Sequence, residues 1–179
     1  MQKPKKQGDE VGIQNETNYV KGYAPAAMTP KLISNQDKKV SINMVSAVTN
    51  QGKLMFMFYE DSMNQEKFKQ FIIRLIKGNK GRKVFLIVDN LKSHQGKILQ
   101  EWLLLNKDKV RMFFSPAYAP DYNPDEYFNG NVKREMAKLP GVKTADELKS
   151  NARKIVRKIQ ARAIHVASYF KNKWVQYAG

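Results

Sequence analysis

Strands are predicted where hydrophobic residues alternate with polar ones or form short uninterrupted runs. Five segments fit this pattern: residues 9–13, 40–48, 54–59, 84–88 and 110–114. Only residues 49–53, with the turn sequence Asn50-Gln51-Gly52-Lys53, separate the second segment from the third, so the two are predicted to form a hairpin. The fourth, Val84-Phe85-Leu86-Ile87-Val88, has no polar residue, which is typical of a strand buried on both faces.

Helices are predicted where hydrophobic residues recur every three or four positions. The first begins after the N-cap residue Asn64 and ends near Gly78. Its apolar face is formed by Phe68, Phe71, Ile72, Leu75 and Ile76. Further helices are predicted over residues 95–105, from Pro124 onward, and after the capping box Thr144-Ala145-Asp146-Glu147. Residues 15–36 are predicted to form a loop.

The predicted order is strand, hairpin, helix, strand, helix, strand, helix, helix. A hairpin followed by alternating strands and helices predicts an α/β fold, with a mixed sheet and helices on both faces. This order resembles the ribonuclease H-like fold. In that fold the first strand lies beside the fourth, so acidic residues on the two strands become neighbours, and a helix after the fifth strand supplies a third acid.

The net charge of the chain indicates a class of binding partner. Its 179 residues include 32 Lys and Arg against 16 Asp and Glu, a formal net charge of +16. The length suits a single domain. A surface this basic favours nucleic acid as the partner over a merely solvated or membrane-binding surface.

Several classes of protein are disfavoured by composition. Without cysteine there is no disulfide framework or thiolate metal site, and two histidines make a structural zinc site improbable. No apolar stretch reaches the roughly 18 residues of a membrane span. The basic N-terminus is not followed by an apolar region, so it is not a signal peptide. We therefore expect a cytoplasmic protein, associated with the nucleoid if the source is bacterial.

Two acidic residues stand where ligand sites form. Asp89 follows the strand 84–88 at its carboxyl end, where open α/β sheets bind ligands. Glu126 lies in the first turn of the helix that begins at Pro124. Carboxylates that converge on one spot bind Mg²⁺, which assists phosphodiester chemistry. Taken alone, Asp89 fits equally well as a cap of the next helix, and Asn123-Pro124-Asp125-Glu126 fits an ordinary helix start.

Asp121 and Asp125 are alternatives to Glu126 as the third acid. Asp121 lies between turn residues, which favours a role in the turn. Asp125 is rotated about 100° from Glu126 around the helix. Spacing alone does not decide between Asp125 and Glu126.

Three segments carry a family resemblance. They are Asp9-Glu10 with the later Gly22-Tyr23-Ala24-Pro25, the strand 84–88 with Asp89, Asn90 and His94, and Tyr118-Ala119-Pro120-Asp121-Tyr122-Asn123-Pro124-Asp125-Glu126. The third is similar to the signature Y-S-P-D-L-N-P-x-E. Together they resemble the DDE transposases of the mariner superfamily, in particular the bacterial insertion-sequence branch, from about residue 9 to the end of the chain.

The resemblance implies that Asp9, Asp89 and Glu126 form the catalytic, metal-binding triad. It implies two Mg²⁺ ions, with Mn²⁺ as a substitute, and supporting roles for Asn90 and His94. The implied activity is cleavage of DNA phosphodiester bonds and strand transfer in transposition. The implied partners are transposon ends, target DNA and a second copy of the chain, as a homodimer during transposition.

Basic residues of the last two predicted helices are the candidate DNA contacts. They are Lys133, Arg134, Arg153, Lys154, Arg157 and Lys158. The alternative that they form a solvated helix face and contact no phosphate stays open.

The front of the chain departs from the family pattern. Family members carry helix-turn-helix modules before the catalytic domain and an apolar strand before the first acid, where this chain has Lys5-Lys6-Gln7-Gly8. We therefore expect residues 1–8 to be a polar remnant or linker, residues 9–179 to form the catalytic domain, and the first strand to be short. The helix-turn-helix region is expected to be absent from this chain and supplied by an upstream segment or a separate chain. Two alternatives remain: an inactive remnant that only binds DNA, and a ribonuclease H-like nuclease.

Overall fold

The computed structural model describes residues 5–14, 40–89, 91–115, 123–173 and 175. Within these ranges one sheet has the strand order β3-β2-β1-β4-β5. Its strands are β1 (Lys5–Gln14), β2 (Ser41–Thr49), β3 (Leu54–Tyr59), β4 (Val84–Val88) and β5 (Val110–Phe114). The first three are antiparallel, whereas β1, β4 and β5 run parallel. The predicted mixed sheet, with β1 beside β4, is confirmed.

Helices cover both faces of this sheet. They are α1 (Gln65–Lys77), α2 (Lys92–Gln95), α3 (Lys97–Leu105), α4 (Pro124–Met136), α5 (Ala145–Gln160) and α6 (Ala163–Ser168), followed by a 3₁₀ turn, Tyr169–Lys171. On one face, α1 and α3 pack against β2, β3, β4 and β5 around Phe68, Phe71 and Leu86. On the other, α4, α5 and α6 pack against β1 and β2 around Phe128, Val132 and Val156.

Caps set the starts of the long helices as predicted. The Asn64 side chain accepts a 2.9 Å hydrogen bond from the Lys67 N–H at the start of α1. Before α5, Thr144 accepts from the Glu147 N–H at 3.2 Å, and the Glu147 carboxylate accepts from the Lys143 N–H at 3.2 Å. The Lys67 and Glu147 N–H groups are among those that the first turn of a helix leaves free, and these bonds satisfy them.

The prediction of a short first strand is wrong. β1 has ten residues and starts at Lys5, so residues 5–8 belong to the sheet and not to a linker ahead of residue 9. Lys6 pairs with Thr49 of β2 on one side and with Leu86 of β4 on the other. A central strand is held by backbone hydrogen bonds on both sides, which do not require apolar side chains.

The helix predicted over residues 95–105 is interrupted. Gly96 has an extended backbone, with φ −63° and ψ 144°, and separates α2 from α3. A Cβ at this position would lie only 1.8 Å from the Gln65 side chain, which accepts a 3.4 Å hydrogen bond from the Leu99 N–H. Glycine therefore allows α1 to come close at the break. Neither α6 nor the 3₁₀ turn was predicted.

No helix in the described part of the chain is both long and apolar enough to cross a membrane. The loop predicted over residues 15–36 lies outside the described residues.

Candidate active site

The site begins where two parallel strands separate. The pairing of β1 with β4 ends at Gly8 opposite Val88. Asp9 and Asp89 are the next residues of the two strands. Crevices at the carboxyl ends of parallel strands are where α/β sheets place ligands. The two predicted acids therefore flank this crevice.

Three N–H donors hold the Asp9 carboxylate. The Glu10 backbone N–H donates to Oδ1 at 2.8 Å. The side-chain amides of Asn123 and Asn129 donate to Oδ2 at 3.1 and 3.3 Å. Asp9 is only 8% exposed, so these bonds fix the orientation of a nearly buried acid.

Two of the other predicted acids act electrostatically on Asp9. Burial raises the pKa of the Asp9 carboxyl to about 7, against the hydrogen bond from the Glu10 N–H, which lowers it. The negative charges of Glu126 and Asp89 raise this pKa further. Carboxylates affect one another in this way only when they are close together.

His94 joins Asp89 to a second acid that the sequence did not single out for this role, Glu10. The His94 Nε2 atom lies 3.1 Å from Glu10 Oε1. Its Nδ1 atom lies 3.1 Å from the Asp89 carbonyl oxygen and 3.0 Å from Asp89 Oδ1. The Tyr59 hydroxyl donates to Glu10 Oε2 at 3.4 Å. These distances place His94 in contact with both Asp89 and Glu10.

The two acids that contact the His94 ring raise its pKa. Burial alone lowers its pKa, but the hydrogen bonds to Asp89 and Glu10 outweigh burial and raise the pKa to about 9. The ring is 1% exposed and packs on Phe68, with 4.1 Å between ring centroids.

Asp125 is a buried acid whose environment was not predicted. It is 0% exposed and accepts a 2.7 Å hydrogen bond from the Ser46 hydroxyl, and Ser46 is the residue that pairs with Asp9 in the sheet. Burial raises the pKa of Asp125 well above its ordinary value, and the charge of Asp9 raises it further. A signal existed in the sequence, since Asp125 is in helical phase with the buried Phe128 and Val132.

Glu126, by contrast, is exposed at the start of α4, after the N-cap Asn123. Because Glu126 is exposed whereas Asp9 is nearly buried, Glu126 is the more accessible of the two to a ligand that enters from solvent. Asn90 and residues 116–122, which include most of the Tyr118–Glu126 signature, lie outside the described residues.

The oxygen atoms near Asp9 fit a hard cation. Asp125 Oδ2 and Asn129 Oδ1 are buried and receive no hydrogen bond from the described residues, whereas Asp89 Oδ1 has the 3.0 Å contact with His94 Nδ1 but no well-directed hydrogen bond. Carboxylate and amide oxygens are the ligands that Mg²⁺ and Mn²⁺ prefer. Within the described ranges, however, no three His, Asp or Glu side chains are arranged as a ready-made metal site. Mg²⁺ commonly takes one or two carboxylates and completes its shell with water and substrate phosphate.

All six predicted DNA-contacting residues are exposed on α4 and α5. Two of them also pack against the sheet. The Arg153 guanidinium lies 5.9 Å from the centre of the Phe58 ring, and that of Arg157 lies 5.6 Å from the Phe56 ring. The hydrogen bond from Lys138 lowers the pKa of the half-buried Glu135, and the charges of Lys158 on α5 and Arg134 on α4 lower it further.

The sequence matches the family model of the DDE superfamily endonucleases over residues 7–149. The chain belongs to this family. The resemblance drawn from the motifs is thereby confirmed at the level of the DDE superfamily. No curated protein matches the chain.

Solved structures of the Mos1 mariner transposase are similar to this DDE endonuclease. Its strand transfer complex is 18% identical, with a TM-score of 0.69, and the match covers 97% of this chain and 54% of that chain. The paired-end complex with Mn is 17% identical, with a TM-score of 0.68 and coverage of 97% and 55%. The isolated catalytic domain is 15% identical, with a TM-score of 0.62 and coverage of 97% and 81%.

These matches confirm the predicted ribonuclease H-like fold. The chain spans little more than half the length of the transposase chains in the two complexes, and most of the length of the catalytic domain.

Proposed function

We propose that this DDE endonuclease is the catalytic domain of a transposase, which cleaves DNA phosphodiester bonds and joins DNA strands with the help of divalent metal ions. The observation that carries the proposal is the position of Asp9. It is nearly buried at the point where β1 and β4 separate, its carboxylate accepts from the Asn123 and Asn129 amides, and Asp89 directly follows the neighbouring strand β4. Mos1 complexes of paired ends and of strand transfer have the same fold.

Asp9, Asp89 and Glu126 would hold two Mg²⁺ ions, or Mn²⁺ in their place. All three offer hard oxygen ligands. The bound ions would supply Lewis-acid stabilisation of the charge that develops on the phosphate and on the leaving oxygen. The support for this pair of ions is the set of acids, the unsatisfied oxygen atoms around them, and the Mn bound by a protein of the same fold.

The chain's own groups preorganise the acids. Asn123, Asn129 and the Glu10 N–H fix the Asp9 carboxylate from three directions. His94 contacts both the carbonyl and the carboxylate of Asp89. Groups held in place before the reaction need not reorganise during it, which lowers the barrier.

The reaction is an in-line displacement at phosphorus. In cleavage, the oxygen of a water molecule bonds to phosphorus, the bond between phosphorus and the 3′ oxygen breaks, and a 3′-hydroxyl and a 5′-phosphate result. One proton of the water leaves to solvent, and the departing 3′ oxygen takes up a proton from solvent to become the hydroxyl. In strand transfer, a 3′-hydroxyl takes the place of water and another 3′ oxygen leaves. One phosphodiester bond is exchanged for another, so this step requires no energy source.

The exposed basic residues of α4 and α5 would contact DNA phosphates. The residues are Lys133, Arg134, Arg153, Lys154, Arg157 and Lys158. Their exposure and the net charge of +16 support this role. Such contacts hold the duplex but do not read its sequence.

Other partners follow from the same proposal. Transposon ends and target DNA would be the substrates, and two copies of the chain would act together during transposition. A helix-turn-helix segment, on the same polypeptide or on another, would recognise the ends. In a bacterial source the enzyme would act in the cytoplasm, at the nucleoid.

A substrate panel tests the reaction class. The chain is incubated with duplex DNA carrying transposon-like ends, an RNA–DNA hybrid and a four-way junction, each with Mg²⁺, Mn²⁺ or EDTA. The proposal expects metal-dependent nicking of the duplex that leaves 3′-hydroxyl ends. Preferential cutting of the hybrid or the junction would instead identify a ribonuclease H-like nuclease, and binding without cutting would identify an inactive remnant.

A further inference from the structure

Glu10 follows Asp9 in β1, and its side chain points away from that of Asp9. Alternation along β1 places Asp9, Val11 and Ile13 on the face that packs against α4 and α5. Glu10 therefore points to the opposite face, where its carboxylate meets His94. Asp9 and Glu10 are adjacent in sequence, but their carboxylates lie on opposite faces of the sheet.

Glu10 is a firm support for His94. It lies in the central strand, where its backbone pairs with Val45 of β2. Its side chain is 16% exposed, and it accepts from the Tyr59 hydroxyl through one oxygen while the other faces His94 Nε2. Both oxygens of this carboxylate are therefore engaged within the protein, which leaves Glu10 poorly placed to be a metal ligand itself.

Asp89 lacks such support from the sheet. It follows the last residue of β4, and the pairing of β4 with β1 has ended one residue earlier. Its side chain is 38% exposed. The contacts that hold Asp89 from the α1 side come from His94, through Nδ1 to the carbonyl and to the carboxylate.

We propose that Glu10 is a positioning residue, which orients the His94 ring and through it fixes the Asp89 carboxylate for metal binding. The inference rests on the proposed function, because it assigns Asp89 to the metal site. Outer partners of metal ligands typically change metal affinity about 10–100-fold when they are removed.

The test compares two substitutions that remove the same charge. Glu10→Ala removes both the charge and the hydrogen-bond acceptor, whereas Glu10→Gln keeps an amide oxygen that can accept from His94 Nε2. The readouts are the Mn²⁺ concentration that gives half of the Mn²⁺-induced thermal shift, and the Mg²⁺ dependence of nicking. Glu101→Ala, which removes an exposed acid on α3, is the matched control.

We expect Glu10→Ala to raise the Mn²⁺ midpoint about tenfold or more, Glu10→Gln to recover most of that loss, and Glu101→Ala to leave the midpoint unchanged. Cleavage at saturating metal should fall much less than the midpoint rises. Equal midpoints for the Ala and Gln variants would mean that only the charge matters and would overturn the positioning role. A lower melting temperature with an unchanged midpoint would also overturn it, since that is the result of a merely structural contact.

A second pair of variants distinguishes the contact of His94 Nδ1 with Asp89 from the contact of Nε2 with Glu10. In His94→Gln the amide nitrogen can reach the place of Nε2, and in His94→Asn that of Nδ1. The Asn variant should therefore bind Mn²⁺ more tightly than the Gln variant. Adding Glu10→Ala to His94→Gln should not raise the midpoint further, because the link to Asp89 is already broken. Additive effects would contradict a path through His94.

Failure of the proposed function is distinguishable from failure of this inference. If the unmodified chain binds Mn²⁺ but cuts no DNA, the proposed activity falls while the Mn²⁺ midpoints still decide the role of Glu10. If the unmodified chain binds no Mn²⁺, the positioning role falls with the metal site.

Discussion

At the residue scale, Asp125 is enclosed completely while the neighbouring Glu126 faces solvent. The Ser46 hydroxyl donates the well-directed hydrogen bond that Asp125 Oδ1 receives. A buried acceptor that loses its donor retains the full cost of being removed from water. The Ser46–Asp125 bond therefore links the start of α4 to β2 beneath the proposed site.

Ser46→Ala should lower the free energy of unfolding by about 1–3 kcal/mol, the cost of an unsatisfied buried acceptor. Urea denaturation without added metal measures the effect. The control is Ser62→Ala, at an exposed position, where a change within about 0.5 kcal/mol is expected. If the two variants are equally stable, the Ser46 bond does not support the buried acid.

The sequence predicted some of these residues and not others, for physical reasons. Asp89 and Glu126 were predicted from their places after a buried run and at a helix start, and from a family motif. The partnership of Glu10 with His94 spans 84 positions and depends on the sheet order, so no local pattern reveals it. The helical phase of Asp125 with Phe128 and Val132 indicates burial, but acids are so common in the first turn of a helix that this signal is weak.

At the element scale, β1 shows why polar strands are missed. Its first residues are polar or glycine, yet they pair with β2 on one side and with β4 on the other. Periodicity detects strands by their apolar face, whereas a central strand is also held by its backbone bonds. The strands 54–59, 84–88 and 110–114 were predicted with their observed bounds because their side chains are mostly apolar.

Lys6→Pro tests the first half of β1. Proline cannot donate to the ladder and is excluded from central strands, and the partner acceptor left unsatisfied costs about 1–3 kcal/mol. We expect a corresponding loss of stability in thermal or urea unfolding. Lys6→Thr, which keeps the N–H and favours strands, should be nearly neutral. A linker at residues 5–8 would tolerate proline as well as threonine, and that outcome would refute the extended strand.

Helix α5 carries the second prediction at this scale. Replacing Arg153, Lys154, Arg157 and Lys158 by Gln should weaken binding to all duplexes about equally and reduce the slope of log K against log salt by up to about 3–4, near 0.9 for each phosphate contact. The matched control replaces four exposed basic residues near β5, at the other edge of the sheet: Arg82, Lys107, Lys109 and Arg111. An equal loss of slope in both variants would mean that binding follows net charge and not the surface of α4 and α5.

At the scale of the whole molecule, the 179-residue chain should bind duplex DNA with little sequence preference. The proposed contacts are to phosphates, which carry no sequence information. Dissociation constants of about 10⁻⁴ to 10⁻⁶ M at physiological salt are the scale of such binding. Competition between transposon-end and random duplexes measures the preference. Selection of one end by more than about 10³-fold, typical of specific binders, would require base-reading contacts on this chain.

The central claim is that acids meeting between β1 and β4 hold metal ions for phosphodiester chemistry, and cleavage by carboxylate-to-amide variants tests it most directly. Asp89→Asn and Glu126→Gln keep the size of each side chain and remove the charge of a metal ligand. The account predicts that each abolishes Mg²⁺- and Mn²⁺-dependent nicking of duplex DNA, because charge stabilisation in the transition state is lost, while DNA binding in a filter or mobility assay is retained. Metal-dependent nicking that continues at the unmodified rate in either variant would contradict it.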